Sequence, residues 1–103
     1  MVDYLKLLAA SESFRNGDEN AVTFSYLEGY LNSIAYAIPE EKKSTKLHAA
    51  LYAKALLKDG APGTPEYESA RDVLCSFIEE VVQVAASADP ETTTVFYEEG
   101  EGV

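Results

Sequence analysis

One cysteine, one histidine, one methionine and no tryptophan occur among the 103 residues. Cys75 alone cannot form an internal disulfide framework, and with His48 as the single histidine no Cys/His set completes a structural zinc site. Glycine never clusters into a phosphate-cradling loop. There is no oxygen-ligand loop of the calcium-binding type and no serine-centred nucleophile elbow. No apolar run approaches the roughly 20 residues that a membrane span needs. Met1-Val2-Asp3 lacks the basic start and apolar core of a secretory leader, so the expected location is the cytoplasm. Arginine is almost missing too.

What is present in excess is negative charge. Eighteen acidic residues face eight basic ones, a net charge of −10. The cations are bunched: Lys42, Lys43, Lys46, Lys54 and Lys58 lie between Pro39 and Asp59. From residue 64 onward ten carboxylates face Arg71 alone. Such a field steers encounters toward basic partners and repels polyanions, which argues against direct nucleic-acid binding. The lysines are expected to pair with the chain's own carboxylates or with those of a second copy. Acidity also keeps small proteins dispersed, a reading of equal weight to a functional acidic surface.

Apolar residues make up 47% of the chain and charged residues 25%, a globular balance that suits one domain with one modest core. The spacing predicts four helices. Asp3 is placed to cap a first, short helix whose Leu5, Leu8 and Ala9 share a face and which runs no further than Phe14, closed at Asn16-Gly17-Asp18. In the second, Phe24, Leu27, Leu31, Ile34 and Ile38 recur at threes and fours; Asp18, Asn20 or Thr23 caps it and Pro39 stops it. The third is expected to start at Pro39-Glu40-Glu41 and to end at Lys58-Asp59-Gly60 with a left-handed glycine. Alanine at 49, 50, 53 and 55 makes it thin, which lets neighbours approach closely. The fourth starts at Thr64-Pro65 and carries the widest apolar stripe, Tyr67, Ala70, Leu74, Phe77, Val81 and Val84 with Val73, Ile78, Val82 and Ala85 beside it, to about Ala88.

The fold class expected is therefore all-α: a compact bundle of three main helices plus a short N-terminal one over residues 1–90. An acidic C-terminal arm follows over residues 91–103. Within that arm Thr92-Thr93-Thr94-Val95-Phe96-Tyr97 has strand-like content, but no second strand is found to pair with it. Tyr97 and Glu101 have the Tyr-x-x-x-Glu spacing of the export tail in the helical-hairpin proteins of type VII secretion. The Trp-x-Gly turn of that family is absent, and the chain is not assigned to it.

For chemistry the residues offer little. His48 sits beside Leu47 and Leu51 and reads as a helix-surface or boundary residue. Cys75, on the most apolar helix, reads as core. Glu40-Glu41, Glu79-Glu80 and Glu98-Glu99 are sequence neighbours, which a helix turns about 100° apart, so they are not acid/base dyads. No catalysis, cofactor or metal is expected. The seven tyrosines remain. They suit either the edge of a small core or the centre of an interface.

The function expected is that of a small non-enzymatic regulator or inhibitor that occupies a basic protein partner. Its contact residues would be Tyr26, Tyr30 and Tyr36 with Glu66, Asp72, Glu79, Glu80, Tyr97, Glu98 and Glu99. In size and charge the chain is similar to the acidic phage-encoded inhibitors that block nucleic-acid-binding machinery. The alternative is a self-assembling structural subunit or an assembly chaperone. Surplus apolar surface on the second and fourth helices points to a homodimer.

Overall fold

Asp3 opens the first helix by accepting a hydrogen bond from the Lys6 amide, as its sequence position implied. The computed structural model describes residues 3–18 and 20–87. Helix α1 spans Tyr4–Arg15, α2 Ala21–Ala37, α3 Thr45–Asp59 and α4 Pro65–Ser87, with a 3₁₀ turn at Glu40–Lys42 before α3. The all-α class holds. The expected acidic arm, its strand-like segment and the proposed boundary at residue 90 lie outside the described residues.

The α1–α2 turn is built around one carboxylate. Gly17 takes φ +103°, the left-handed value that closes a helix at lowest steric cost. Asp18 then accepts from the Asn20 amide and from the Ser13 and Thr23 hydroxyls, and these bonds hold its carboxyl below the usual range, the Asn20 amide foremost. Asn20 itself caps α2 through the Val22 amide. At the far end Ile38 is extended ahead of Pro39.

Between α2 and α3 the chain departs from expectation. Pro39-Glu40-Glu41 starts only a 3₁₀ turn; Lys43 is extended, and Ser44 caps α3 by accepting from Leu47. The Lys43 side chain is buried and donates to the Ile38 carbonyl at 2.8 Å while meeting Glu40 at 3.2 Å, which pins the corner. Gly60 is not left-handed, with φ −85°. Glycine is needed there for space, because a Cβ would stand 2.6 Å from the Leu56 carbonyl oxygen. Pro62-Gly63 then forms a turn, Gly63 at φ +93° and the Thr64 amide donating to the Ala61 carbonyl, before Thr64 caps α4.

The helices close a ring: α4 against α1, α1 against α2, α2 lightly against α3, and α3 against α4. Leu27 and Leu31 of α2, Leu47, Ala50 and Leu57 of α3, and Leu74, Ile78 and Val81 of α4 fill its centre. Helix α1 is a full member of the ring rather than an appendage, and it uses a different face from the one expected. Leu7, Ser11 and Phe14 are buried, whereas Leu5 is 80% exposed and Ala9 is exposed. The reason is Ser11. Its hydroxyl donates to the Cys75 carbonyl and the Cys75 thiol donates to the Ser11 carbonyl, both at 3.4 Å, so two small residues let α1 lie close on α4.

Candidate apolar groove between α3 and α4

Alanine thins α3 on the side turned toward α4 and solvent, so the two helices leave an open furrow between them. Ala49, Tyr52, Ala53 and Leu56 form one wall; Pro65, Glu66, Ser69, Ala70 and Val73 form the other, around about 450 Å³. A second depression of about 260 Å³ shares Ala49 and Val73 and continues past Lys46, Asp72, Ser76, Phe77 and Glu80. Together they make one groove with a small-residue floor. Tyr52 stands on its edge 70% exposed, among the largest apolar surfaces left open on the described residues. A ring so placed offers contact area at low conformational cost.

Charge is distributed around this groove unequally. Glu66, Asp72 and Glu80, three of the residues expected to meet a partner, lie together along the α4 wall. Each is engaged differently. Asp72 accepts from Arg15 at 2.6 Å, Glu80 accepts from Lys46 at 2.5 Å, and Glu66 lies in the exposed first turn of α4. Glu79 does not line the groove, although it stands on the same side of α4 as Asp72: Arg15 reaches it through Nε at 3.1 Å and Nη2 at 3.3 Å while also bonding Asp72 and donating to Ser76. The hydrogen bond to Asp72 is the main influence holding the Arg15 guanidinium in its charged form.

The α2 tyrosines expected at the interface, Tyr26, Tyr30 and Tyr36, do not join the groove. Tyr26 and Tyr30 are half-buried on α2 and face α1: the Lys6 ammonium stands 5.2 Å from the Tyr26 ring, and Tyr4 lies near enough to Tyr30 to influence its hydroxyl. Burial foremost, with Tyr4 adding to it, pushes the Tyr30 hydroxyl well above its usual range. Tyr36 is 86% exposed near the end of α2. Tyr97, Glu98 and Glu99 lie outside the described residues. Tyr52, Ala49 and Val73 were missed from the sequence. The cluster of alanines on α3 was the available signal, because a furrow needs small residues beneath an aromatic edge.

Internal pairing absorbs much of the described charge. Lys58 meets Glu28 at 3.2 Å and Arg71 meets Glu68, in addition to the pairs of Arg15, Lys43 and Lys46. Three of the five clustered lysines, Lys43, Lys46 and Lys58, thus meet the chain's own carboxylates, and Lys54 donates to Asn32. Twelve of the eighteen acidic residues and all eight cations fall in the described residues, so most of the net charge is carried by Glu19 and residues 88–103.

His48 is exposed, its Nδ1 3.6 Å from Glu40. Cys75 is fully buried, and desolvation raises its thiol pKa against the opposing influence of Ser11 and of the Arg15 and Arg71 charges. We expect a disulfide reagent to modify native Cys75 far more slowly at neutral pH than the same thiol in denaturant. Equal rates in the two states, followed by absorbance of the released thiolate, would place this side chain at the surface.

Among the described residues no group of three or more histidines, cysteines or carboxylates is arranged to hold a metal ion, and no helix is long and apolar enough to cross a membrane. Fold and site together define a four-helix bundle with an open, acid-walled apolar groove. No family model, no curated protein and no solved structure matches the chain.

Proposed function

We propose that this protein is a small binding regulator that performs no bond-making of its own and engages a basic protein partner through the α3–α4 groove. One observation carries the reading: an aromatic edge and a small-residue floor lie beside a wall bearing Glu66, Asp72 and Glu80. Apolar anchors inserted over Ala49, Ala53 and Ala70 would supply affinity, and cations flanking them would meet the carboxylates and set orientation. A partner presenting apolar side chains flanked by Lys or Arg, as surfaces that handle polyanions do, has the complementary chemistry. Blocking such a surface is how a protein of this kind would inhibit it.

The test compares the wild type with two groove variants against whichever basic protein it retains from its source cell. Tyr52→Ala should weaken binding by about 2 kcal/mol, roughly thirtyfold in Kd by calorimetric titration. Glu66→Lys/Glu80→Lys should weaken it by at least as much, chiefly through slower association. Tyr36→Ala, on an exposed position away from the groove, should leave it unchanged. Unaltered affinity in both groove variants would refute the assignment.

A further inference from the structure

The two walls of the groove differ in sign. Among its lining residues α3 contributes Lys46 and no carboxylate, while α4 contributes Glu66, Asp72 and Glu80 and no cation. Suppose a two-fold axis runs along the groove between two copies brought face to face. It exchanges the walls, so α3 of each copy lies over α4 of the other. Lys46, already paired with Glu80 of its own chain, then also faces the mate's carboxylate wall. Tyr52, which keeps its height along the groove, comes down on Ser69, Ala70 and Val73 of the mate. An axis across the groove does the reverse and stacks α4 on α4, setting three carboxylates against three. Only the first arrangement sets the exposed ring over the small residues without stacking one carboxylate wall on the other.

Self-repulsion does not forbid the pairing. Each copy carries a net charge of −10, but near the groove Arg15 pairs with Asp72 and Lys46 with Glu80, and physiological salt screens exposed charges beyond about 8 Å. Each copy thus offers an exposed ring and a furrow of small residues on the same face, the self-complementary pattern of an isologous contact.

We infer that a second copy of this chain occupies the α3–α4 groove in the free protein, α3 of each on α4 of the other, with Tyr52 as the central anchor. The inference deepens the proposed function and rests on the same groove: a basic partner would have to displace one subunit to reach it.

The test needs no partner, so its failure and that of the binding reading can be told apart. Sedimentation equilibrium on the full chain, from micromolar to millimolar, should show the average mass climbing from 11.2 kDa toward twice that value. Tyr52→Ala and Ala49→Arg, both at exposed positions, should raise the dimer Kd more than about tenfold with unchanged helical circular dichroism. Oxidising a mixture of Tyr52→Cys and Ser69→Cys chains should give the mixed disulfide in preference to either homodimer. A monomeric mass throughout the series overturns the inference. So does a dimer indifferent to both substitutions, or one that cross-links without preference.

Discussion

Phe14→Ala should remove about 3–5 kcal/mol of folding stability, among the largest losses from any single truncation in this protein. Phe14 is the largest side chain among the fully buried ones. It closes the bundle where the α1–α2 turn meets the far ends of α3 and α4. Its ring lies 5.8 Å from that of Phe24 at 44°, and both border a depression that also touches Leu57 and Tyr67. The Glu28–Lys58 pair spans that depression, so water can enter once the ring is gone, but the apolar walls gain nothing from it. Four helices converge there, and the Asp18 bonds to Ser13, Asn20 and Thr23 tie α1 to α2 at that end. Collapse is therefore limited, and the cost falls at the upper part of the range. A domain of this length has roughly 5–15 kcal/mol in total, so the variant should melt roughly 15–25 °C lower by calorimetry. A drop of only a few degrees would mean that this end of the bundle is loose.

Leu7→Ala and Leu5→Ala should differ sharply, although the two leucines are two positions apart on one helix. Leu7 is fully buried against α4 and its neighbours, and its truncation should cost about 2–5 kcal/mol. Leu5 projects into solvent, and its truncation should change stability by less than about 0.5 kcal/mol. Chemical denaturation of the two variants decides which face of α1 is inside. Equal losses, or a larger loss at Leu5, would turn the helix over and separate Arg15 from Asp72 and Glu79.

That pair also marks where sequence reasoning reached its limit. Helices α2 and α4 are legible because their stripes are long: Leu27, Leu31 and Ile38 in one, and Tyr67, Ala70, Leu74, Phe77 and Val81 in the other, keep the spacing that buries one side. Caps at Asp3 and Thr64 and the stop at Pro39 were visible for the same local reason, while Asn20 was one of three candidates to cap α2. On α1, leucines at 5, 7 and 8 mark competing faces, and the choice is made by Ser11, whose exchange of hydrogen bonds with Cys75 joins residues 64 apart. The start of α3 was misplaced because acidic residues after a proline suit a 3₁₀ turn as well as an α-helix, while the buried Lys43 that separates the two depends on the Ile38 carbonyl.

The site was half legible. Carboxylates of the fourth helix were recognised as a group, and Glu66, Asp72 and Glu80 do share a wall. Glu79 is among the expected contact residues, yet a helix turns it away from Glu80 and it stays off the groove, where Arg15 ties it to Asp72. The tyrosines of α2 drew notice by number, but α1 engages two of them. Tyr52 was overlooked because its setting, a furrow over alanines, exists only once α4 is laid against α3.

The most direct test of the central claim is the dissociation constant of the complex with a basic partner, measured across a salt series. Charge on the α4 wall and around the groove should make Kd rise steadily with ionic strength, and Glu66→Gln/Glu80→Gln should flatten that dependence. An affinity constant from low to high salt, and equal in wild type and the neutralised groove, would contradict the account.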